Sequence, residues 1–173
     1  MLVVLAAAGY LEEFRMASTL AHATSASLIA LTAAHVQPHE TGYILAAVVS
    51  ASILDLDHVV LVIRDRAIYR QLGYRGQLHR ARSAFHELFG LLLAGVLSAL
   101  VFLVDPKLGL VVFIAFAVHV VQDWVLGKSY PLAPVEDTEV QFFSLTFGQK
   151  VLVDVVLLIL FGGLWTLYLL GYL

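Results

Sequence analysis

The stretch Asp55-Leu56-Asp57-His58 places two carboxylates and an imidazole inside an apolar run that covers residues 43–63. The run is long enough to cross a bilayer, because a spanning helix needs roughly 20 mostly apolar residues. A charged group at mid-bilayer costs roughly 2.5–3.5 kcal/mol on insertion scales, so ionisable residues in such a segment usually serve a function. Asp55 and His58, three apart, would share one helix face. The alternative is that these side chains only cap a helix or contact a neighbouring one.

The composition indicates an integral membrane protein. Hydrophobic residues make up 61% of the 173 residues and charged residues only 13%, whereas soluble domains contain about 25% charged residues. Cysteine is absent, which excludes disulfides, thiolate metal sites and a cysteine nucleophile. The length favours a single integral membrane domain over residues 1–173. Residues 1–8 are apolar but lack the basic leader of a signal peptide, and Met16 is an alternative first residue.

Hydropathy predicts an all-α, polytopic bundle of about five transmembrane helices. The predicted spans are residues 17–34, 43–63, 84–104, 108–126 and 150–172. The first span is rich in Ala, Ser and Thr, and small residues let helix backbones approach closely in membranes. We therefore expect this span to lie inside the bundle rather than to face lipid on all sides.

The positive charges are concentrated in one connection. Six arginines fall between the second and third predicted spans, whereas the connection 35–42 contains no Lys or Arg. Because positive residues stay on the cytoplasmic side, the arginine-rich connection and the N-terminus are expected inside and the C-terminus outside. This pattern predicts a multi-pass protein of the cell inner (cytoplasmic) membrane.

The predicted topology brings ionisable residues from several spans to one depth. With a rise of 1.5 Å per residue, they lie within about two turns of the cytoplasmic surface. These residues are His22, Asp55, Asp57, His58, His86, Glu87, His119, Asp123 and Asp154. For Asp154 we favour a helix-start acid. His35 and His39 fall in the opposite connection, where we expect them to be solvated. The pattern predicts a metal site near the cytoplasmic side.

His119 and Asp123 form the clearest pair, because positions i and i+4 of a helix face the same way and can grip one ion. A His–Asp hydrogen bond that only joins two helices is the alternative. His86 is a further candidate ligand, and Glu87 is a candidate general base or supporting carboxylate. An acid in the first turn of a helix also favours the helix dipole without any catalytic role. His22 could bind metal or hydrogen-bond to another helix.

Mixed His and Asp ligands suit a divalent metal, with Zn²⁺ favoured and Mn²⁺ or Fe²⁺ as alternatives. Such an ion can lower the pKa of bound water to about 7 and so generate a hydrolytic nucleophile. Arginine binds phosphate through a planar fork, and Arg80 lies close in sequence to His86. Membrane topology and attraction to anionic lipid are alternative roles for the arginines.

At these residues the chain resembles the YdjM-like family of membrane-bound metal-dependent hydrolases. The matches are His22, the stretch Leu54 to His58, the stretch His79-Arg80 to His86, and His119-x-x-x-Asp123 followed by Gly127 and Pro131. That family is distantly similar to zinc-dependent phospholipase C and the fungal single-strand nucleases, which are helical phosphodiesterases with a zinc cluster. The chain departs from the family pattern in an interval from His79 to His86 that is two residues longer, so that either histidine could be the ligand.

The resemblance implies a membrane-bound hydrolase, and we expect a phosphoesterase acting on a lipid or amphipathic substrate. The first metal is expected on Asp57, His86, His119 and Asp123, with His22, Asp55 and His58 completing it or holding a second. Asp55, Glu87 and Arg80 are the expected catalytic residues. The expected partners are membrane lipids and a small-molecule or lipid phosphoester, and no nucleic acid is expected. The alternative is a metal-binding scaffold or an ion carrier, although residues 91–104 offer a carrier no ionisable group.

The predicted orientation can be tested by cysteine accessibility, because the parent chain contains no cysteine. A Gln37→Cys variant should react with a membrane-impermeant maleimide added to intact cells, since the connection 35–42 is predicted to be outside. The cysteine-free parent gives the background. Labelling of Gln37→Cys from the cytoplasmic side alone would reverse the orientation.

Overall fold

The computed structural model describes residues 16–55, 84–126, 128–136, 138–143 and 145–173. Within these ranges the fold is helical. The α-helices of the described ranges are α1 (Met16–Ala33), α2 (Thr41–Ser52), α3 (Leu88–Phe102), α4 (Pro106–Leu126) and α5 (Phe147–Leu169). Two short 3₁₀ turns, Ile53–Asp55 and Ala84–His86, follow α2 and precede α3. A small antiparallel hairpin pairs β1 (Lys128–Ser129) with β2 (Val140–Gln141).

Helix α1 packs against α2, α4 and α5, as its small residues predict. Ala21, Ala26 and Ala30 are fully buried, so neighbouring backbones can approach it closely. Its hydroxyl groups bond back to the helix itself, as when Ser25 Oγ donates to the carbonyl of Ala21 at 2.6 Å. Polar residues can therefore be buried in this helix without exposing unpaired groups to an apolar environment.

Two apolar clusters hold the helices together. One consists of Ala26, Ala30, Ala51 and Ala115, from α1, α2 and α4. The other cluster contains larger residues and also involves α5 through Tyr168. Its members are Leu28, Leu31, Ala34, Val36, Ala47, Val111 and Tyr168. Tyr168 secures this second cluster, because its hydroxyl donates to the Val36 carbonyl at 3.1 Å. The Trp165 indole similarly donates to the Thr24 carbonyl at 2.9 Å, so α5 is tied to α1 at two levels.

The helices begin where local capping favours a start. Asp105 Oδ1 accepts from the Leu108 backbone amide at 3.0 Å, and proline is well suited to the first helical position, so α4 begins at Pro106 rather than at residue 108. In α5 a capping box joins Thr146 and Gln149, which starts this helix at Phe147 instead of residue 150.

Helices α4 and α5 are long and apolar enough to cross a membrane, whereas α2 and α3 are shorter apolar helices. Of the predicted span 43–63 the structure describes residues 43–55, in which α2 ends at Ser52 and a 3₁₀ turn reaches Asp55. Much of the apolar surface faces outward, including Leu92, Val96 and Leu100 of α3. Such a broad exposed apolar surface is unusual for a soluble monomer and is suited to contact with lipid.

At the end of the bundle where α1 leads into α2, polar side chains join two turns. Lys107 Nζ donates to Glu40 Oε2 at 2.6 Å, and the Tyr43 hydroxyl donates to Asp105 Oδ2 at 2.9 Å. The Gln37 backbone amide, and after it the Lys107 side chain, lower the pKa of the Glu40 carboxyl. The contribution of this contact to stability is therefore present above the ordinary carboxyl pKa and is lost as pH falls through the lowered one. Exposed pairs of this kind contribute little.

Helices α3 and α4 meet at Gly109. A Cβ at this position would lie 2.7 Å from the backbone nitrogen and Cα of Phe102, and glycine is therefore required for this approach. We expect Gly109→Ala to push the helices apart and to destabilise the protein by about 1–3 kcal/mol, the usual cost of overpacking.

A matched control is Gly163→Ala in α5, where an added Cβ meets no described atom within 4 Å. This variant should be neutral or slightly stabilising, because alanine favours helix more than glycine. Unfolding of both variants in mixed micelles checks the pair. Equal stabilities would contradict the close packing of α3 on α4.

Candidate metal centre

Four elements bring five ionisable side chains to one end of the bundle. His119 and Asp123 lie one turn apart on α4, and His22 lies near the start of α1. Asp55 ends the 3₁₀ turn after α2, and His86 ends the 3₁₀ turn before α3. The sequence analysis predicted that these residues meet at a common depth, and the structure brings them together.

The five side chains are closely spaced and largely excluded from solvent. His119 Nε2 lies 3.6 Å from both Asp55 Oδ1 and Asp123 Oδ2. His86 Nε2 lies 3.9 Å from the same two oxygens. The second oxygen of Asp123, Oδ1, lies 3.5 Å from His22 Nδ1. His86 and His119 are fully buried, and the Asp55 side chain is the most accessible of the five at 13% exposure.

These separations are close to those expected between ligands of a common ion. A charge-assisted hydrogen bond would bring nitrogen and oxygen to about 2.7–2.9 Å. Two ligands of a tetrahedral zinc ion, with bonds near 2.0–2.1 Å, lie about 3.3 Å apart. The 3.6–3.9 Å separations of His86 and His119 from the two carboxylates are thus too long for direct hydrogen bonds and slightly wider than a metal coordination shell.

The candidate ligand atoms form two groups, and both groups contain His119. Within each group, all the ligand atoms lie within 4.8 Å of one another. The first group combines His119 with His22 and Asp123, the second with Asp55 and His86. Within the described part of the chain, neither ring nitrogen of His119 has a hydrogen-bond partner. Burying an imidazole whose nitrogens have no hydrogen-bond partner costs free energy, and coordination of an ion would remove that cost. The two carboxylates and three neutral imidazoles together would also balance a divalent cation.

A polar contact supports the cluster from α1. Gln122 Nε2 donates to Ser25 Oγ at 2.7 Å, which links α4 to α1 beside His22 and Asp123. The His22 and His119 rings meet edge to face, with centroids 5.5 Å apart. These contacts fix the rotation of α4 relative to α1 and so help to orient the ligands.

Glu87 lies next to His86 in sequence but points elsewhere. Its Oε1 accepts from the Tyr130 backbone amide at 2.9 Å, and its Oε2 accepts from the Trp124 indole at 3.0 Å. The residue is 1% exposed and directly precedes α3. Its carboxylate thus joins three parts of the chain: the start of α3, the end of α4 and the segment after β1. The proposed catalytic role of Glu87 stays a prediction, and its observed contacts are structural.

Other predicted residues are placed as follows. Asp57, His58, His79 and Arg80 lie outside the described residues. His35 and His39 are exposed, as expected for the opposite connection. Asp154 is buried and lies two turns into α5, which has no acid in its first turn. The favoured interpretation of Asp154 as a helix-start acid was therefore wrong, because the capping box starts the helix earlier than hydropathy indicated.

The fold and the cluster define a class of protein: an apolar helical bundle with a buried His/Asp group able to hold a metal ion. A comparison with family models shows which protein family the chain belongs to. Residues 16–172 match the model of the YdjM inner membrane protein family, and the chain belongs to that family. Its location in the inner membrane agrees with the two long apolar helices α4 and α5. Neither a curated protein nor a solved structure gave a match.

Replacing the Glu87 carboxylate should weaken the fold around the site. In Glu87→Gln one oxygen can still accept from the Tyr130 amide, but an amide nitrogen cannot accept from the Trp124 indole. The loss of a buried, charge-assisted hydrogen bond should cost about 1.5–3 kcal/mol. Thermal unfolding in detergent measures it. Glu136→Gln, at an exposed position, is the control, and equal melting temperatures for the two variants would contradict the role given to Glu87.

Proposed function

We propose that this protein is a membrane-bound, metal-dependent hydrolase. The His/Asp cluster would hold a divalent ion, with Zn²⁺ favoured over Mn²⁺ or Fe²⁺ because the donor set combines imidazoles and carboxylates without thiolates. The favoured bond is a phosphoester in a lipid or amphipathic substrate. The observation that carries the proposal is that four separate elements bring three buried histidines and two aspartates together. The histidine nitrogens lie 3.5–3.9 Å from the aspartate oxygens.

The cluster has the charge and donor types that such an ion requires. His86, His119 and Asp123 present the buried donors, and Asp55 adds a partly accessible carboxylate. The sequence makes Asp55 a candidate both for catalysis and for metal ligation. Its Oδ1 lies 3.6 Å from His119 Nε2, which favours ligation. Asp123 directs one oxygen toward His22 and the other toward His86 and His119. A carboxylate divided in this way could serve two adjacent ion positions.

A bound divalent ion would supply Lewis acidity toward a phosphoryl oxygen and a water molecule acidified for attack. The protein's own side chains would orient the reactants. Arg80, outside the described residues, is proposed to bind the phosphate oxygens through its guanidinium fork. The buried walls of the cluster would limit access of bulk water.

The proposed topology has five spanning helices with the cluster near the cytoplasmic face. Successive helices alternate in direction, so the start of α1, the end of α2, the start of α3 and the end of α4 lie at one end of the bundle. The arginine-rich connection 64–83 belongs to the same end by sequence. The positive-inside rule therefore supports a cytoplasmic site, within reach of lipid headgroups and amphipathic metabolites.

The metal proposal predicts that His119→Ala lowers the metal content of the purified protein by on the order of tenfold or more, since His119 belongs to both candidate groups. Asp57→Ala should also lower it, whereas His39→Ala should leave it unchanged. Elemental analysis after exchange into metal-free buffer gives the answer. Full occupancy in His119→Ala would refute the proposed centre.

The hydrolase proposal predicts that Asp123→Asn lowers turnover by about 10–100-fold while the protein stays folded. Asn keeps the size of Asp and one oxygen but removes the charge that complements the ion, and the helix backbone bonds are untouched. Arg80→Lys should retain metal but use substrate less well, because lysine cannot present a bidentate fork.

The measurement pairs metal per protein with turnover of phosphodiester substrates, for both variants and the parent. Wild-type turnover in Asp123→Asn would remove this aspartate from the mechanism. A parent protein that binds metal and cleaves no phosphoester, ester or amide in a broad panel would favour the metal-binding scaffold over the enzyme.

A further inference from the structure

An apolar groove lies between α2 and α3, and α4 forms its floor. Both helices pack against α4, and the groove between them has a volume of about 350 Å³. Its lining includes Val49, Ile53, Leu93, Leu97 and Val112, with Ser50 as a polar member. Ala94 adds only a methyl group to the α3 wall of the groove, whereas the space beside Gly90 is filled by the backbone of Phe85.

Three residues that line the groove, on three elements, are close in sequence to candidate metal ligands. Leu54 directly precedes Asp55, and Phe85 directly precedes His86. Phe116 lies three residues before His119 on α4, so the two share a helix face. One end of the groove is therefore bounded by the neighbours of three candidate ligands, and the other end is apolar.

We propose that this groove holds the hydrocarbon chain of the substrate while its anionic head lies at the His/Asp cluster. The inference rests on the proposed function and deepens it, because it assigns the substrate to the single-chain amphiphiles. A convex helix face in a bilayer contacts lipid without selecting it. A concave cleft that ends at a cluster of candidate metal ligands instead fixes both ends of one molecule.

The groove also sets a chain length. From Gly90 to Leu97 the wall rises by about 10 Å at 1.5 Å per residue. An extended carbon chain advances roughly 1.2 Å per bond, as the backbone does, so about eight carbon–carbon bonds fit. Each fully buried methylene would improve binding by about fourfold at most in an apolar-transfer estimate. Chains beyond this length should add little.

The test uses the full-length, zinc-loaded protein in lipid nanodiscs and n-alkyl phosphonic acids of 4 to 14 carbons. Each carries a photoreactive diazirine at the tail end, and mass spectrometry maps the labelled residues. For chains of about eight carbons, we expect labelling at Leu93 and Leu97 to exceed labelling at Leu92, which is exposed like them but does not line the groove. An alkyl trimethylammonium probe with the same tail should show no such preference.

The decisive variant is Ala94→Phe, which fills the groove. It should reduce labelling at Leu97 by on the order of tenfold, because several methylenes lose their site. Ala99→Phe lies on the same helix at an exposed position outside the groove and should label as the parent does. Metal content, measured in parallel, should be equal in all three. If Ala94→Phe does not fold, Leu97→Trp serves instead and should shift the optimum to shorter chains.

Three results would overturn the inference. Equal labelling of Leu92 and the groove residues would indicate an annular lipid only. Labelling of Ala94→Phe equal to that of Ala99→Phe, with metal retained, would reject the groove and leave the proposed hydrolase intact. The third result is a parent protein that retains no metal and still labels selectively with both head groups. This result would contradict the metal centre, and with it the substrate role of the groove.

Discussion

The burial of Asp55 and Asp123 among three imidazoles is the constraint on which the structure depends. Two carboxylates in an apolar bundle are expensive unless a positive charge compensates them. Their separations of 3.6–3.9 Å from the nitrogens of His86 and His119 are too long for hydrogen bonds and close to those between ligands of one ion. A divalent ion bound by these residues, as proposed, would complete the fold at this end of the bundle. The helices would then be held in register by shared coordination as well as by packing.

The rest of the bundle is arranged so that these donors can converge. The small residues of α1 let α2, α4 and α5 approach closely, and the Gln122–Ser25 contact orients α4 beside the cluster. Glu87 links the start of α3 to Trp124 and Tyr130, so the turn that carries His86 is fixed from behind. The same arrangement leaves an apolar groove between α2 and α3, where Ala94 adds only a methyl group to the α3 wall. Two residues that line this groove, Leu54 and Phe85, adjoin Asp55 and His86 in the sequence.

Much of this could be predicted from the sequence, because hydropathy and helix periodicity are local properties. The helices, the central position of α1 and the meeting of His22, Asp55, His86, His119 and Asp123 followed from apolar runs that alternate in direction. The starts of α4 and α5 were predicted less accurately. Asp105-Pro106 and the Thr146/Gln149 capping box are nevertheless signals for these starts that the sequence contains. The partners of Glu87 could not be predicted, because Tyr130 lies 43 residues away and only the tertiary fold brings the two together.

The most direct test of the account is X-ray absorption at the zinc edge on purified, zinc-reconstituted protein. The account predicts nitrogen and oxygen ligands at about 2.0–2.1 Å, no sulfur, and the outer-shell scattering of at least two imidazole rings. That scattering should diminish in His119→Ala. A spectrum of hydrated zinc without imidazole scattering, or protein that retains no zinc, would contradict the central claim that the histidines and aspartates form a metal centre.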